Sequence, residues 1–278
     1  MRHFLSLRRR SGRLAVSPQE DHVNRTELLD RFDLTGRVAI VTGGSRGIGR
    51  AVAEGYAALG AKVVVASRKP EACDEAVAAI EAAGGTAFAV PTHVGDLDSL
   101  AHLVDATVDR FGGIDIVVNN AANALTQPVG EITPEAWQKS MDANVRSGLF
   151  LVQHALPHLL VSDHASVINL VSVGIFTGGF GMTMYLAGKN AVMMLTRSMS
   201  SELVGRGIRV NAVAPGVIDT DMVRNNPPEF QQLMIAGQPM GRMGRPDELV
   251  PAFVFLASDA SSFMTGQVLV IDGGQTAH

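Results

Sequence analysis

Tyr185 and Lys189 are four residues apart in the string Tyr185-Leu186-Ala187-Gly188-Lys189. On a helix that spacing puts both side chains on one face. An ammonium beside a phenol favours the phenolate, so the pair predicts a proton donor and acceptor that works near neutral pH. Taken alone, the two residues read more readily as an exposed helical pair. Ser172 changes the balance. It stands thirteen residues before Tyr185, just past an apolar run of strand character. A hydroxyl at the end of a strand can hydrogen-bond a carbonyl oxygen, and the three residues together point to proton transfer at an oxygen atom.

A second group of residues could hold an anion. Thr42-Gly43-Gly44-Ser45-Arg46-Gly47-Ile48-Gly49 follows the apolar run 38–41 and precedes a stretch of helix formers that starts at Arg50. Glycines let backbone N–H groups approach a pyrophosphate, and a helix N-terminus favours its negative charge. A glycine cluster is a weak signal by itself, but its place between a first strand and a first helix makes it a dinucleotide fingerprint. A site for NAD usually has a carboxylate at the end of the second strand, bonded to the ribose hydroxyls. Here that end reads Ser67-Arg68-Lys69, with no acid. Arg68, together with Arg46 of the glycine loop, suits a 2′-phosphate. The expectation is NADP(H), with NAD(H) as the alternative.

These groups need a scaffold. Apolar runs at 38–42, 62–67, 86–90, 114–119, 166–171, 208–213 and 267–271 read as strands. Amphipathic stretches at 47–59, 70–83, 97–111, 134–161, 185–204 and 246–257 read as helices. Alternation of this kind predicts an α/β fold: a Rossmann-type, doubly wound, seven-stranded parallel sheet with helices on both faces, in one domain. Ligands of such sheets sit at the carboxyl ends of the strands.

Composition agrees and excludes other classes. The chain has 278 residues, 46% hydrophobic and 18% charged, enough for a sizeable core. A net charge of -4 argues against a nucleic-acid binder. The single cysteine, Cys73, excludes an internal disulfide or a Cys-built zinc site, and the eight histidines form no H-E-x-x-H motif, so no metal is expected. No apolar stretch approaches the ~20 residues that span a bilayer, so no membrane partner is expected and the location reads as cytoplasmic. Residues 1–19 hold five arginines and no acid. Residues 1–33 read as a basic, flexible extension, and 34–278 as the Rossmann domain.

With these motifs in order, the chain resembles the short-chain dehydrogenase/reductase family in its single-domain form, from about Phe32 to Gly274. The family's T-G-x-x-x-G-x-G is Thr42 to Gly49, and its N-N-A-G is Asn119-Asn120-Ala121-Ala122. Its serine and Y-x-x-x-K are Ser172, Tyr185 and Lys189. Its P-G is Pro215-Gly216, and its closing T-G-Q-x-x-x-x-D-G-G runs from Thr265 to Gly274. The resemblance implies Tyr185 as general acid/base, with Lys189 lowering its pKa and holding the nicotinamide ribose. It implies Ser172 as the group that polarises the carbonyl, and Asn144 as the anchor of a water in the proton relay. It places Ile218 and Thr220 at the carboxamide, and Asn120 and Ala121 on the adenosine ribose side. Two departures stand out. Ala122 replaces a glycine, which requires a negative φ there. His93-Val94 replaces the family's Asp-Val beside adenine, so His93 is either a substitute contact or a bystander. Subfamily strings resemble NADPH-dependent carbonyl reductases, 3-oxoacyl-carrier-protein reductases and gluconate 5-dehydrogenase-like members.

The implied function is NADP(H)-dependent hydride transfer between a carbonyl and a secondary alcohol. Two alternatives are a catalytically silent dinucleotide sensor or scaffold and an NAD-dependent alcohol or sugar-acid dehydrogenase. Nine of the twelve methionines fall between 182 and 243. Met side chains adapt to irregular apolar ligands. Ile175, Phe180 and Met222, with Met234 and Met240, are the expected substrate contacts, and the long segment after 218 is the expected lid. The partner is a small carbonyl or alcohol, and the family form implies a homo-oligomer, tetramer or dimer.

Overall fold

Alternating side chains on each strand face opposite ways, and this chain makes both directions apolar. A computed structural model describes residues 24–277. Its strands are β1 (Val38–Thr42), β2 (Lys62–Ser67), β3 (Thr86–Pro91), β4 (Ile116–Asn119), β5 (Ser166–Leu170), β6 (Arg209–Pro215) and β7 (Val268–Ile271). All pair in parallel in the order β3-β2-β1-β4-β5-β6-β7. The helices are α1 (Arg25–Asp30), α2 (Gly47–Ala58), α3 (Pro70–Ala82), α4 (Leu97–Phe111), α5 (Pro134–Met141), α6 (Ser147–Leu159), α7 (Gly174–Thr177), α8 (Thr183–Leu203), α9 (Asp221–Arg224), α10 (Pro228–Ala236) and α11 (Val250–Ala257).

The two core layers follow from that alternation. Ala39 and Val41 of β1, Val63 and Val65 of β2, and Ile116 and Val118 of β4 meet α2, α3 and α11 on one face. Ile40, Val64 and Val117 meet α4, α6 and the end of α8 on the other. Strands buried on two faces need crossovers, and the helices supply them on both sides of the sheet.

At the amino end of the sheet, two guanidinium groups close the structure. Arg37 donates to Ala257 O at 3.0 Å and pairs with Asp259 at 2.9 Å. Arg209 donates to Leu256 O and Ser258 O at 2.9 and 3.2 Å. The final carbonyls of α11, which have no partner inside the helix, are satisfied this way.

Three differences from the sequence expectation have clear causes. The stretch 134–161 is not one helix: a π-helical turn, Asp142–Arg146, separates α5 from α6. Hydrophobic periodicity runs straight through such a turn, so the pattern hides it. The expected lid carries two short helices, α9 and α10. The extension expected over 1–33 falls outside the described residues up to 23, but its last part forms α1, capped by the Asn24 side chain on Glu27 N at 2.9 Å.

Candidate active site

The sheet order reverses between β1 and β4, and the loops that leave their carboxyl ends diverge there to open a cleft. The cleft has a volume of about 1970 Å³ and continues to the loops after β5 and β6. One wall is the glycine loop. Gly43 has φ of +66°, and a Cβ there would lie 2.7 Å from Asn120 Nδ2. A Cβ on Gly49 would run into the Gly43 carbonyl. Arg46 is the extended N-cap of α2 and gives no side-chain cap, so the first N–H groups of that helix have no cap bond from it. Ser45, Arg46, Gly47 and Ile48 line the cleft around them. A cradle that only glycine fits, at an uncapped helix N-terminus, is the arrangement a pyrophosphate needs.

Ser67, Arg68 and Lys69 line the same cleft at the end of β2. Ser67 Oγ accepts from Ser45 N at 3.4 Å. Arg68 and Lys69 are exposed and make no ion pair among the described residues, whereas Arg46 lies 3.7 Å from Asp221 of α9. His93 and Val94 line the cleft after β3; the His93 ring is exposed and folds back over Gly95. Asn120 and Ala121 line the cleft as well, and both are tied to the end of β1. The Asn120 amide turns back to Thr42 O at 2.8 Å, and Ala121 N donates to Thr42 Oγ1 at 3.1 Å. These bonds clamp the loop after β4 to the glycine loop, so the Asn120 side chain shapes the cradle from behind. Ala122 lines the cleft, and no described residue other than glycine has a positive φ, so its methyl is accommodated. Pro215 ends β6. Gly216 follows because a Cβ there would press on Asp272 Cα at 2.8 Å. Ile218 and Thr220 line the cleft, Thr220 across from Gly47.

The proton-transfer residues converge on the same opening. Ser172, Tyr185 and Lys189 all line it. Tyr185 and Lys189 lie on the buried face of α8, with the Lys189 Nζ 5.6 Å from the phenol ring centroid. Lys189 Nζ donates to Leu170 O at 2.6 Å. Its ammonium is pushed down to about 8 by burial. The Tyr185 phenol is pushed up to about 12 by burial, against which the Ser172 hydroxyl works as a hydrogen-bond partner. The expected lowering of the Tyr185 pKa by Lys189 is therefore not found in the chain alone. Desolvation disfavours charge on both groups and is the leading cause of both shifts.

Asn144 sits in the middle of the π-turn. Its amide donates to Asn123 O at 2.8 Å and to Ser140 Oγ at 3.1 Å, and its oxygen accepts from Asn123 N at 2.8 Å. Single π-turns inside α-helices are frequent at functional sites. Beside it is an internal cavity of about 20 Å³, lined among others by Asn144, Lys189, Asn119 and Asn169. That is room for one water with polar partners.

The expected substrate contacts divide. Phe180 and Met222 line the cleft, as does Met234. Ile175 does not: it packs from α7 against Val171, Val173, Val192, Ala212 and Ala214. The turn of α7 directs it inward, which spacing alone could not reveal. Met240 also lies outside the cleft, against Gly273. Missed by sequence reasoning were Leu125, Phe230 and Leu233, which add apolar surface. Asn123 was missed too, because it holds Asn144 through its backbone, and a backbone contact has no residue-type signature. Among the described residues no group of three metal-ligating side chains is present, and no helix is long and apolar enough to cross a membrane.

Comparison with known proteins gives this geometry a family. The family model described as "Enoyl-(Acyl carrier protein) reductase" matches residues 43–276. Cis-4-hydroxycyclohexanecarboxylate dehydrogenase of Sinomonas cyclohexanicum is 40% identical over 242 residues, covering 87% of this chain and 97% of that protein. The structure of 7α-hydroxysteroid dehydrogenase complexed with NADH and 7-oxo glycochenodeoxycholic acid superposes with a TM-score of 0.85 at 33% identity, over 88% of this chain and 96% of that one. A putative NAD(P)-dependent gluconate 5-dehydrogenase from Beutenbergia cavernae, with bound NADP, gives 0.84 at 36% identity, over 89% and 100%. Relatives that align along nearly their whole length on this sheet and this glycine loop put the chain in the short-chain dehydrogenase/reductase family, as an NAD(P)-dependent oxidoreductase that moves hydride between an alcohol and a carbonyl.

Proposed function

We propose that the protein is an NADP(H)-preferring reductase of apolar or amphipathic ketones and aldehydes, with Tyr185 as its general acid/base. The observation that carries this reading is the meeting of Ser172, Tyr185 and Lys189 at one cleft with the glycine loop and Arg68. The bound dinucleotide supplies or accepts the hydride. Everything else falls to the chain. Ser172 donates to the substrate oxygen and holds it in reach of the phenol. Tyr185 gives its proton to that oxygen during reduction. Lys189 and Asn144 border the small cavity, and a water held there would pass a proton by way of Lys189 back to the phenol. The glycine loop and the N-terminus of α2 hold the pyrophosphate, Arg68 and Arg46 the 2′-phosphate, and Ile218 and Thr220 the carboxamide end.

The apolar lining by Phe180, Met182, Met222, Phe230 and Leu233 supports an alkyl or aryl substrate over a polyol. A homo-oligomer fits the exposed Val270 of the edge strand β7 and the exposed Phe263 just before that strand, and light scattering of the full chain checks it. NADPH oxidation with a panel of alkyl, aryl and polyhydroxy carbonyls tests the main reading. Tyr185→Phe is expected to lower kcat by about a hundredfold or more. Turnover that survives this change, or a preference for gluconate-like polyols, overturns it. Arg68→Asp is expected to raise the KM for NADPH about tenfold or more while that for NADH barely moves. Equal effects on the two cofactors would reject the 2′-phosphate site.

A further inference from the structure

One side chain grips the π-turn from outside the catalytic group. Arg146 closes the turn Asp142–Arg146, and its Nε lies 3.2 Å from Oδ1 of Asp142, the first residue of the same turn. The same Asp142 oxygen accepts from Gln138 Nε2 at 2.8 Å. Arg146 Nη2 reaches the other way and donates to Gly95 O at 2.8 Å. Gly95 belongs to the loop after β3, which lines the cleft with His93 and Val94 at the end occupied by Arg68 and Lys69. That loop is internally tied, His93 N to Ser99 Oγ at 3.0 Å and Asp96 N to His93 O at 2.9 Å. Asn144, bonded to Asn123, lies between Asp142 and Arg146 in the same turn.

Two physical points make the link more than packing. A planar guanidinium fixes its nitrogens relative to one another, so a shift of the Gly95 carbonyl moves the charged edge that faces Asp142. The ion pair to Asp142 is also imperfectly aligned: the buried Nε has no hydrogen-bond partner. A buried donor left this way is unusual and gains by a small adjustment of the fork.

We propose that Arg146 is a positioning residue that couples occupation of the 93–95 loop by the adenosine half of the dinucleotide to the conformation of the turn that holds Asn144. The inference rests on the dinucleotide reading above for what fills that loop. It makes the distant, unreactive half of the cofactor a contributor to kcat as well as to affinity, which is how remote binding energy is used in catalysis.

Amide hydrogen exchange of the full chain tests it without turnover, with adenosine 2′,5′-bisphosphate as the probe. In the wild type the bisphosphate is expected to slow exchange at 93–96 and also, by about tenfold, at 140–147. In Arg146→Met the first protection stays and the second disappears. Protection at 93–96 with no response at 140–147 in the wild type overturns the coupling alone, as does an unchanged response in the variant. No protection at 93–96 overturns both the coupling and the placement of the adenosine half.

Kinetics give a second readout. Arg146→Met is expected to lower kcat with NADPH about tenfold at a nearly constant KM for the ketone. It should leave the ratio to wild type much closer to one with reduced nicotinamide mononucleotide, which has no adenosine half. Equal losses with both cofactors, or no loss with either, overturn the coupling. If Arg146→Met does not fold, Arg146→Lys, which keeps the charge but not the fork, takes its place in the same comparisons under the same criteria.

Discussion

Tyr185 and Lys189 share a desolvated pocket that opposes charge on each of them, and the consequences of that differ in sign. Lys189 titrates at about 8 in the folded chain against 10.5 as its ordinary value. Between those values the unfolded chain binds the proton and the folded chain does not, so this group makes stability rise with pH across that window. Tyr185, held up to about 12 from 10.0, makes stability fall above pH 10 because the unfolded chain releases its proton first. Lys189→Met isolates the first effect. The variant also strips the Leu170 carbonyl of its donor, at a cost that does not vary with pH. The Tm of wild type minus that of the variant is therefore expected to increase from pH 7.5 to 10, as read by thermal unfolding in matched buffers. A flat difference would mean that Lys189 is not desolvated in the folded chain. That Tyr185 and Lys189 share one face of α8 was legible from their spacing. The dominance of burial in both shifts was not, because spacing says nothing about how much water the pocket admits.

At the scale of elements, the glycine loop and the π-turn are where backbone geometry is most constrained. Gly49→Ala places a methyl against the Gly43 carbonyl and the Asn120 amide, neither of which is a flexible side-chain end. It is expected to destabilise the fold by about 1–3 kcal/mol and to weaken NADPH binding measured by fluorescence titration. Asn144→Ala removes the bonds that hold Asn123 and is expected to cost about 1–3 kcal/mol of stability in urea unfolding, beside any loss of turnover. An activity loss with full stability would mean that the loop at Asn123 holds itself. The seven strands were readable in the sequence to within two or so residues, since each is a short apolar run bounded by punctuation. The π-turn, the inward turn of Ile175 and the helices α9 and α10 were not. Each depends on how one segment meets another, and local pattern carries no record of that.

For the whole molecule, the sheet is buried on both faces while its carboxyl edge stays open, so ligand binding and global stability are linked. A ligand that binds only the folded chain stabilises it by about 2.7 kcal/mol at a hundred times its Kd. NADP is expected to raise the Tm more than NAD at equal concentration, and the reverse order would reassign the cofactor preference. The architecture as a whole was the most legible level. Alternating strand and helix patterns admit few arrangements once crossovers are right-handed. The cleft followed from the place where the strand order reverses.

The two arginines at the amino edge bear on how the protein is made. Arg37 emerges from a ribosome about 220 residues before the carbonyl that receives it, and Arg209 precedes its own partners by nearly fifty. Until Ala257 is synthesised and clears the exit tunnel, the first strand of the sheet keeps an unmatched guanidinium and the helix that roofs it does not exist. A nascent chain arrested short of that point should be cut readily by protease, and one released beyond it should resist.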